Sequence, residues 1–164
     1  NETDSDDAEV ISMTKLLEDV VNEGRALSLG RHVITLEACR ASLVGEPSDI
    51  RSAAMNLVSN AVRYTPEGGR IDVRWFRTSS GAVLSVKDTG IGIEEKHIPR
   101  LTERFYRVDK GRSRSTGGTG LGLAIVKHVC RSAGGQLKIE STPGKGSTFS
   151  MVFPKSRIFD DESV

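Results

Sequence analysis

The 164-residue chain has little of what marks disulfide-stabilised, metal-binding or membrane-spanning proteins. Its only cysteines, Cys39 and Cys130, lack CxxC spacing and metal-ligand neighbours, so we expect two thiols kept in a reducing compartment. No apolar run approaches the roughly 20 residues that cross a bilayer. The first residues, NETDSDDAE, are acidic where a signal peptide is basic. Nothing in these features predicts secretion or a disulfide framework.

The chain also lacks a strong excess of either charge. Its 23 lysines and arginines nearly balance its 22 aspartates and glutamates, for a net charge of +1. This balance gives no overall attraction to nucleic acid, and we expect no nucleic-acid partner. The length fits one domain with a real core. We expect that domain at 10–155, after a disordered lead-in at 1–9 and before a flexible tail at 156–164.

Apolar spacing and turn residues predict an α+β protein. Helices are expected over 11–27, over 47–64 after the Pro47-Ser48-Asp49 cluster, near 94–103 and over about 120–133. Strands are expected in HVITLEA, SLVGE, RIDVRWFR, AVLSVKD, QLKIEST and STFSMVF, and the last four form two hairpins. This order predicts a two-layer sandwich, in which a mixed, mostly antiparallel sheet carries helices on one face.

Residues 105–118 form a long polar segment of a kind that is uncommon inside compact domains and often serves as a binding loop. The segment is rich in arginine and leads into the glycine-rich stretch GGTGLGLAIVK and a helix. The free backbone N–H groups and positive end of such a helix attract phosphate. The alternative is a solvated basic loop followed by a simple glycine turn.

A polar stripe runs along the helix predicted at 47–64. At 100° per residue, Asn56, Asn60 and Arg63 share one side, next to an apolar stripe that must face the core. The stripe is either a solvent-facing surface or a ligand face. In the second case it offers amide oxygens to a hard cation and a guanidinium to phosphate.

The stretch VLSVKDTGIGI places a carboxylate on an apolar face. Asp88 shares its strand parity with Leu84 and Val86, and a buried carboxylate needs hydrogen-bond donors. An adenine amino group is one suitable donor, and a backbone N–H in an ordinary Asp-Thr-Gly turn is the other. Gly90 and Gly92 leave room for a flat ligand to approach the backbone.

The last strand ends its inward row with a hydroxyl. Ser147 lies on the same face as Phe149, Met151 and Phe153, where it can bond a base or an ordered water near Asp88.

Two stretches of the sequence resemble known phosphate-binding motifs but lack the context that those motifs require. GTGLG does not follow a strand, as a Rossmann fingerprint must. GKGS at 144–147 lacks the earlier glycine of a P-loop and leads into a strand.

Five motifs in this order resemble the catalytic and ATP-binding domain of bacterial sensor histidine kinases. They are NLVSNAVRYT, DTGIGI, ERFYRVD, GGTGLGLAIVK and GKGSTF, and the resemblance covers roughly residues 11–155. Within that family, RLTERFYRVDKGRSRS is most similar to the phosphate-regulon type of sensor kinase. The resemblance implies the ATP-binding sandwich shared with type II topoisomerases, Hsp90 chaperones and mismatch-repair ATPases, with ATP and Mg²⁺ as cofactors.

The resemblance also implies a role for each matching residue. The residues expected near the base and ribose are Tyr64, Asp88, Gly90, Gly92, Ile93 and Ser147. Those expected at the phosphates or in a lid over them are Asn56, Arg63, Phe105, Tyr106, Arg107, Arg112, Gly118, Thr119, Gly120, Leu121, Gly122 and Leu123. Asn60 is the expected Mg²⁺ ligand, and Asn60, Arg63 and Arg107 are the expected catalytic residues.

The phosphoacceptor of this family, a histidine followed by an acidic residue in a helical hairpin, has no match in the chain. His32, His97 and His128 are expected to be structural or exposed. The resemblance therefore implies a monomeric catalytic domain, cytoplasmic within a homodimeric inner-membrane sensor kinase, that cannot autophosphorylate alone. Its partners would be the dimerisation hairpin and a response regulator. Two alternatives remain, a clamp-type ATPase and a nucleotide-binding module without catalysis.

Overall fold

The computed structural model describes residues 8–103 and 122–160, and the structure below refers to these ranges. The helices are α1 (Met13–Ser28), α2 (Pro47–Tyr64) and α3 (Gly122–Ser132), with two 3₁₀ helices at Glu95–Arg100 and Lys155–Arg157. The strands are β1 (Glu9–Ser12), β2 (Val33–Ala38), β3 (Ala41–Gly45), β4 (Arg70–Thr78), β5 (Gly81–Asp88), β6 (Gln136–Thr142), β7 (Gly146–Pro154) and β8 (Ile158–Asp160).

The main sheet has five strands in the order β2-β4-β5-β7-β6. Only β2 and β4 run parallel, and every other neighbouring pair is antiparallel. Period-two alternation points Trp75, Leu84 and Phe153 into the core, where each is at most 1% exposed. The predicted α+β sandwich with a mixed, mostly antiparallel sheet is confirmed.

Helix α2 has the predicted bounds because its sequence carries a start signal and an apolar stripe. Pro47 occupies the first turn, and the Glu46 carboxylate accepts a hydrogen bond from the Asp49 backbone N–H at 2.9 Å. That bond, together with one from the Ser48 hydroxyl, lowers the pKa of Glu46. Ile50 and Leu57 are each 1% exposed on the inward face.

The first and third predicted helices differ in detail from the structure. The helix expected from residue 11 begins at Met13, because Ile11 belongs to β1 and pairs with Leu43. The helix expected near 94–103 is the 3₁₀ helix Glu95–Arg100, which contains Pro99 and therefore lacks one backbone donor.

A second sheet of three strands, in the order β1-β3-β8, was not predicted. Its inward residues Ile11, Leu43 and Ile158 join the same hydrophobic core as the large sheet. Strand β8 lies in the segment expected as a flexible tail, yet its residues pair with β3. Ordered structure therefore continues to Asp160, beyond the predicted domain end at 155.

In the described ranges, no helix is long and apolar enough to span a membrane. Cys39 and Cys130 form no disulfide. Burial raises the pKa of the Cys130 thiol to about 12, which keeps it protonated near neutral pH.

Candidate functional site

Asp88 ends strand β5 on the inward face of the main sheet, as its parity predicts. It is 7% exposed and lies opposite Ile71 of β4 and Ser147 of β7. A carboxylate at this position requires donors, because burial without them costs several kcal/mol.

Two backbone N–H groups supply those donors, and both bond the same oxygen. Oδ1 of Asp88 accepts from Gly90 N at 2.8 Å and from Ser147 N at 3.3 Å. Burial raises the pKa of Asp88, and the two hydrogen bonds oppose that shift without cancelling it. No hydrogen bond from another described residue reaches Oδ2, so this oxygen is left to accept from a ligand.

The loop after Asp88 closes against the end of α2. A side chain at Gly90 would come within 2.5 Å of the Tyr64 carbonyl and 2.8 Å of Asp88 Oδ1. The Ile91 N–H donates to that same Tyr64 carbonyl at 3.3 Å. Only glycine allows this close approach, so the Asp-Thr-Gly turn is held directly on the helix.

Gly92 and Ile93 are held by the β6–β7 hairpin. Gly92 has φ +74°, and a Cβ there would lie 2.1 Å from the Thr142 carbonyl oxygen. The Ile93 N–H donates to Ser141 Oγ at 2.7 Å, and Ser141 Oγ lies 2.7 Å from Ser147 Oγ. The Ser147 hydroxyl thus bonds Ser141, while its backbone N–H bonds Asp88.

The polar stripe of α2 is partly exposed to solvent, because Asn56, Asn60 and Arg63 are each half-buried. Arg63 Nη1 donates to Asn60 Oδ1 at 2.7 Å. The Arg63 guanidinium also lies 5.9 Å from the centre of the Tyr64 ring, which is 38% exposed. The stripe therefore presents an amide and a cation side by side.

Asn56 lies against the start of α3. A Cβ on Gly122 would be 3.1 Å from Asn56 Oδ1, so this glycine allows the helix to begin next to the asparagine. Leu123 is half-buried against the core.

Helix α2 thus contacts two glycine segments, the loop that contains Gly90 and the start of α3 at Gly122. Its Tyr64 end meets the loop of Gly90, and Asn56, eight residues earlier, meets Gly122. At 1.5 Å per residue these contacts are about 12 Å apart along the helix. A ligand with an aromatic base at one end and anionic groups at the other can extend along this distance.

The structure therefore brings together Asn56, Asn60, Arg63, Tyr64, Asp88, Gly90, Gly92, Ile93, Gly122, Leu123 and Ser147. The predicted residues Phe105, Tyr106, Arg107, Arg112, Gly118, Thr119, Gly120 and Leu121 lie outside the described residues. Within the described ranges, no group of three or more His, Cys, Asp and Glu side chains could hold a metal ion.

The three histidines lie in different surroundings. His32 contacts Ser28 Oγ through Nδ1 and the Thr65 carbonyl through Nε2, at 2.8 and 2.6 Å. His97 lies 3.7 Å from a Glu94 carboxylate oxygen, and His128 is exposed on α3.

Two residues of this region were missed by the sequence reasoning. Ser141 bonds both the loop of Ile93 and Ser147, and only its position opposite Ser147 in a predicted hairpin hinted at this. Thr65 follows the helix and lies against Gly90, a contact that no local pattern reveals.

Comparison with known protein families gives a match over most of the chain. The family described as "Histidine kinase-, DNA gyrase B-, and HSP90-like ATPase" matches residues 45–157, more than half of the chain. The chain belongs to this family. The matched range runs from the start of α2 to the second 3₁₀ helix and contains every described residue of the candidate site.

Curated relatives in this ATPase family include named sensor proteins. The chain is 52% identical over 158 residues to the phosphate regulon sensor protein PhoR of Pseudomonas aeruginosa, covering 95% of the chain and 36% of that protein. It is 45% identical over 113 residues to the sensor-like histidine kinase SenX3 of Mycolicibacterium smegmatis, covering 69% of the chain and 29% of SenX3. The predicted resemblance to sensor histidine kinases is confirmed, and the chain spans about a third of these relatives.

Solved structures of this family share the fold. A mycobacterial sensor histidine kinase, MprB, aligns with a TM-score of 0.79 at 28% identity, covering 90% of this chain and 97% of that one. The catalytic domain of the histidine kinase ThkA aligns with a TM-score of 0.75 at 22% identity, covering 90% and 97%.

Proposed function

We propose that the chain is the ATP-binding catalytic domain of a two-component sensor histidine kinase of the phosphate-regulon type. The observation that carries this proposal is the Asp88 carboxylate, which is buried, accepts hydrogen bonds from the described residues through Oδ1 alone, and lies near the Tyr64 end of α2. Eight residues before Tyr64 on the same helix, Asn56 lies against Gly122 at the start of α3. The family membership and the named relatives support the same function.

The residues present fit an adenine nucleotide. Oδ2 of Asp88 is an acceptor for the 6-amino group of adenine. Gly90 and Gly92 let the turn beside it pack against the end of α2 and the β6–β7 hairpin. Tyr64, Ile93 and Ser147 complete the proposed base and ribose contacts. ATP, when bound, supplies the phosphoryl group that the full kinase transfers to a histidine.

Asn60 is the proposed Mg²⁺ ligand through its amide oxygen. That oxygen accepts a hydrogen bond from Arg63, and a cation bound there would meet a guanidinium at close range. We therefore propose that Arg63 leaves Asn60 for a phosphate when Mg²⁺ and ATP bind together. Asn56, Gly122 and Leu123 would line the phosphate end of the site.

Residues 104–121, which lie outside the described ranges, carry the remaining proposed contacts. Phe105, Tyr106, Arg107 and Arg112 would form the lid, and Gly118, Thr119, Gly120 and Leu121 would hold phosphate with backbone amides. Arg107 is the proposed catalytic cation facing the γ-phosphate.

The proposed partners are a dimerisation hairpin bearing the phosphoacceptor histidine and a cognate response regulator. The full protein would be a homodimer at a bacterial inner membrane, with this domain in the cytoplasm and monomeric when isolated. We propose none of the histidines of this chain as the acceptor, because His32, His97 and His128 are each followed by an apolar residue rather than an acidic one.

Two measurements test this proposal. Titration of the chain with ATP, with and without Mg²⁺, should show saturable binding that Mg²⁺ strengthens. Incubation with radiolabelled ATP should label a separately prepared dimerisation hairpin of a related phosphate-regulon kinase, and should leave the chain itself unlabelled.

The outcomes separate the alternatives. Binding without transfer to any hairpin would favour a nucleotide-binding module. Rapid ATP hydrolysis without transfer would favour a clamp-type ATPase. Failure to bind ATP would refute the proposal as a whole.

A further inference from the structure

Thr65 carries a buried hydroxyl that has no hydrogen-bond partner among the described residues. The residue is 4% exposed and directly follows α2 in an extended conformation. The large majority of buried side-chain polar atoms in proteins are hydrogen-bonded to protein or ordered water, because leaving one unpaired is costly. This hydroxyl therefore requires an explanation that the fold itself does not supply.

The hydroxyl lies beside the base-binding carboxylate. A Cβ built on Gly90 would be 3.1 Å from Thr65 Oγ1 and 2.8 Å from Asp88 Oδ1. Both oxygens thus lie on the same side of Gly90, where the Tyr64 carbonyl, 2.5 Å from such a Cβ, leaves no room for a side chain. On the opposite side, Thr65 Cγ2 would be only 2.3 Å from a Cβ on Gly69, so the methyl group packs against that turn.

The backbone of Thr65 is fixed independently of any ligand. Its carbonyl accepts a hydrogen bond from His32 Nε2 at 2.6 Å, which makes Nε2 the protonated ring nitrogen. Nδ1 of His32 lies 2.8 Å from Ser28 Oγ, which also accepts a hydrogen bond from the His32 backbone N–H at 2.9 Å. With the carbonyl held and the methyl packed, the hydroxyl has little freedom to turn elsewhere.

We propose that Thr65 is a positioning residue of the base site, whose hydroxyl shares an ordered water with the Asp88 carboxylate. The water accepts a hydrogen bond from the Thr65 hydroxyl or donates one to it, and it donates a hydrogen bond to the carboxylate. This bond restricts rotation of the carboxylate, which keeps Oδ2 directed at the 6-amino group of a purine. The inference rests on the proposed function, since it assumes that Asp88 accepts from adenine.

The test compares two diphosphate ligands on the 164-residue chain. ADP carries the 6-amino group, and purine riboside 5′-diphosphate lacks it. Thr65→Val replaces the hydroxyl with a methyl of nearly equal size and should weaken ADP binding about fivefold, equivalent to about 1 kcal/mol. It should leave affinity for the second ligand within about twofold. Thr65→Ser, which keeps the hydroxyl, should bind ADP like the wild type.

Two control variants show whether weaker ADP binding comes from the loss of this particular hydroxyl and whether Asp88 binds the 6-amino group. Thr148→Val removes a hydroxyl from the outward face of β7 and should change neither affinity. Asp88→Asn should weaken ADP far more than the purine analogue. If it does not, the proposed function fails, and the present inference, which assumes that Asp88 accepts from adenine, is overturned with it. If Asp88→Asn behaves as expected while Thr65→Val binds ADP normally, only the present inference is overturned.

Thermal unfolding distinguishes a positioning role from a merely unpaired group. An unpaired buried hydroxyl destabilises the fold. If the Thr65 hydroxyl is unpaired and has no role, Thr65→Val should therefore raise the Tm and leave the ADP affinity unchanged. A water-bonded hydroxyl predicts no gain in Tm together with weakened ADP binding. If Thr65→Val does not fold, a high-resolution crystal structure of the wild-type chain with ADP decides the matter. A water within hydrogen-bond distance of both Thr65 Oγ1 and Asp88 supports the inference, and its absence overturns it.

Discussion

Asp88 and Ser147 face each other across β5 and β7, and the Ser147 backbone N–H donates to Asp88 Oδ1 at 3.3 Å. The pairing register of the sheet, rather than a loop, therefore fixes one of the two bonds that orient this carboxylate. The other bond comes from Gly90, within the Asp-Thr-Gly turn. These two bonds thus hold Oδ1 of Asp88 in place before any ligand binds.

Asp88→Asn should weaken ADP binding about tenfold or more, because the amide can present an N–H where the carboxylate offers an acceptor to the 6-amino group. Calorimetric titration of both proteins measures the change. Asp72→Asn, on the outward face of β4, is the matched control and should bind ADP normally. Equal ADP affinity for Asp88→Asn and wild type would contradict the base assignment.

Asp88→Asn should also stabilise the unliganded fold at neutral pH. The folded-state pKa of Asp88 is raised by burial, so ionisation of this group costs folding free energy above that pKa. The stabilisation should therefore be present at pH 7 and disappear as the pH falls through the folded pKa, where the wild-type carboxyl is protonated in the fold. Denaturant unfolding at a series of pH values checks this. A variant that is less stable than wild type at pH 7 would contradict it.

Asn60→Ala should remove most of the strengthening that Mg²⁺ gives to ATP binding, since the proposed metal ligand is lost. Affinity in the presence of a chelator should change little. Titration of ATP with and without Mg²⁺ measures the ratio of the two affinities. Asn22→Ala, which removes an exposed amide on α1, serves as control. An unchanged Mg²⁺ effect in Asn60→Ala would exclude the metal role.

Gly92→Ala should destabilise the fold by about 1–3 kcal/mol more than Gly144→Ala. The two glycines have similar positive φ values, +74° and +80°, so the backbone penalty of alanine is similar at both. A Cβ at Gly92 meets the Thr142 carbonyl at 2.1 Å, whereas one at Gly144 has no heavy atom within 4 Å. The difference in free energy of unfolding between the variants isolates that contact. Equal destabilisation would contradict the prediction and would mean that the Thr142 carbonyl moves away from the added Cβ at little cost in free energy.

Cys130 should resist alkylation in the folded chain at pH 8. Burial raises its thiol pKa to about 12, and the thiolate is the reactive form. Cys39 is half-buried and should react first with iodoacetamide. Mass spectrometry of each cysteine peptide, with and without denaturant, measures the rates. Modification of folded Cys130 as fast as that of Cys39 would contradict the prediction.

The elements that depend on local pattern were predictable from the sequence. Alternation identified the main-sheet strands and the inward side of Asp88, and Pro47 with Asp49 marked the start of α2. The five ordered motifs identified the family. What escaped prediction depends on contacts between distant segments. Strand β8 has only three residues and is stabilised by pairing with β3, so no period could reveal it.

In the candidate site, too, local pattern predicted which residues share a face, while their contacts with distant segments could not be predicted. The stripe of Asn56, Asn60 and Arg63 came from helical periodicity, but the bond between Asn60 and Arg63 required coordinates. Ser147 was placed correctly on its face, yet its hydroxyl bonds Ser141 from the neighbouring strand. Thr65 lies against Gly90, a neighbour 25 positions away in the chain.

The contacts of α2 with both glycine segments limit how this part of the chain can change in length. Inserting or deleting one residue between Asn56 and Tyr64 would rotate everything beyond it by about 100° and displace it by about 1.5 Å. The asparagine and the tyrosine would then point in different directions, and one glycine segment would lose its neighbour. Working variants of this domain should therefore tolerate substitutions along this stretch far more readily than a change in its number of residues.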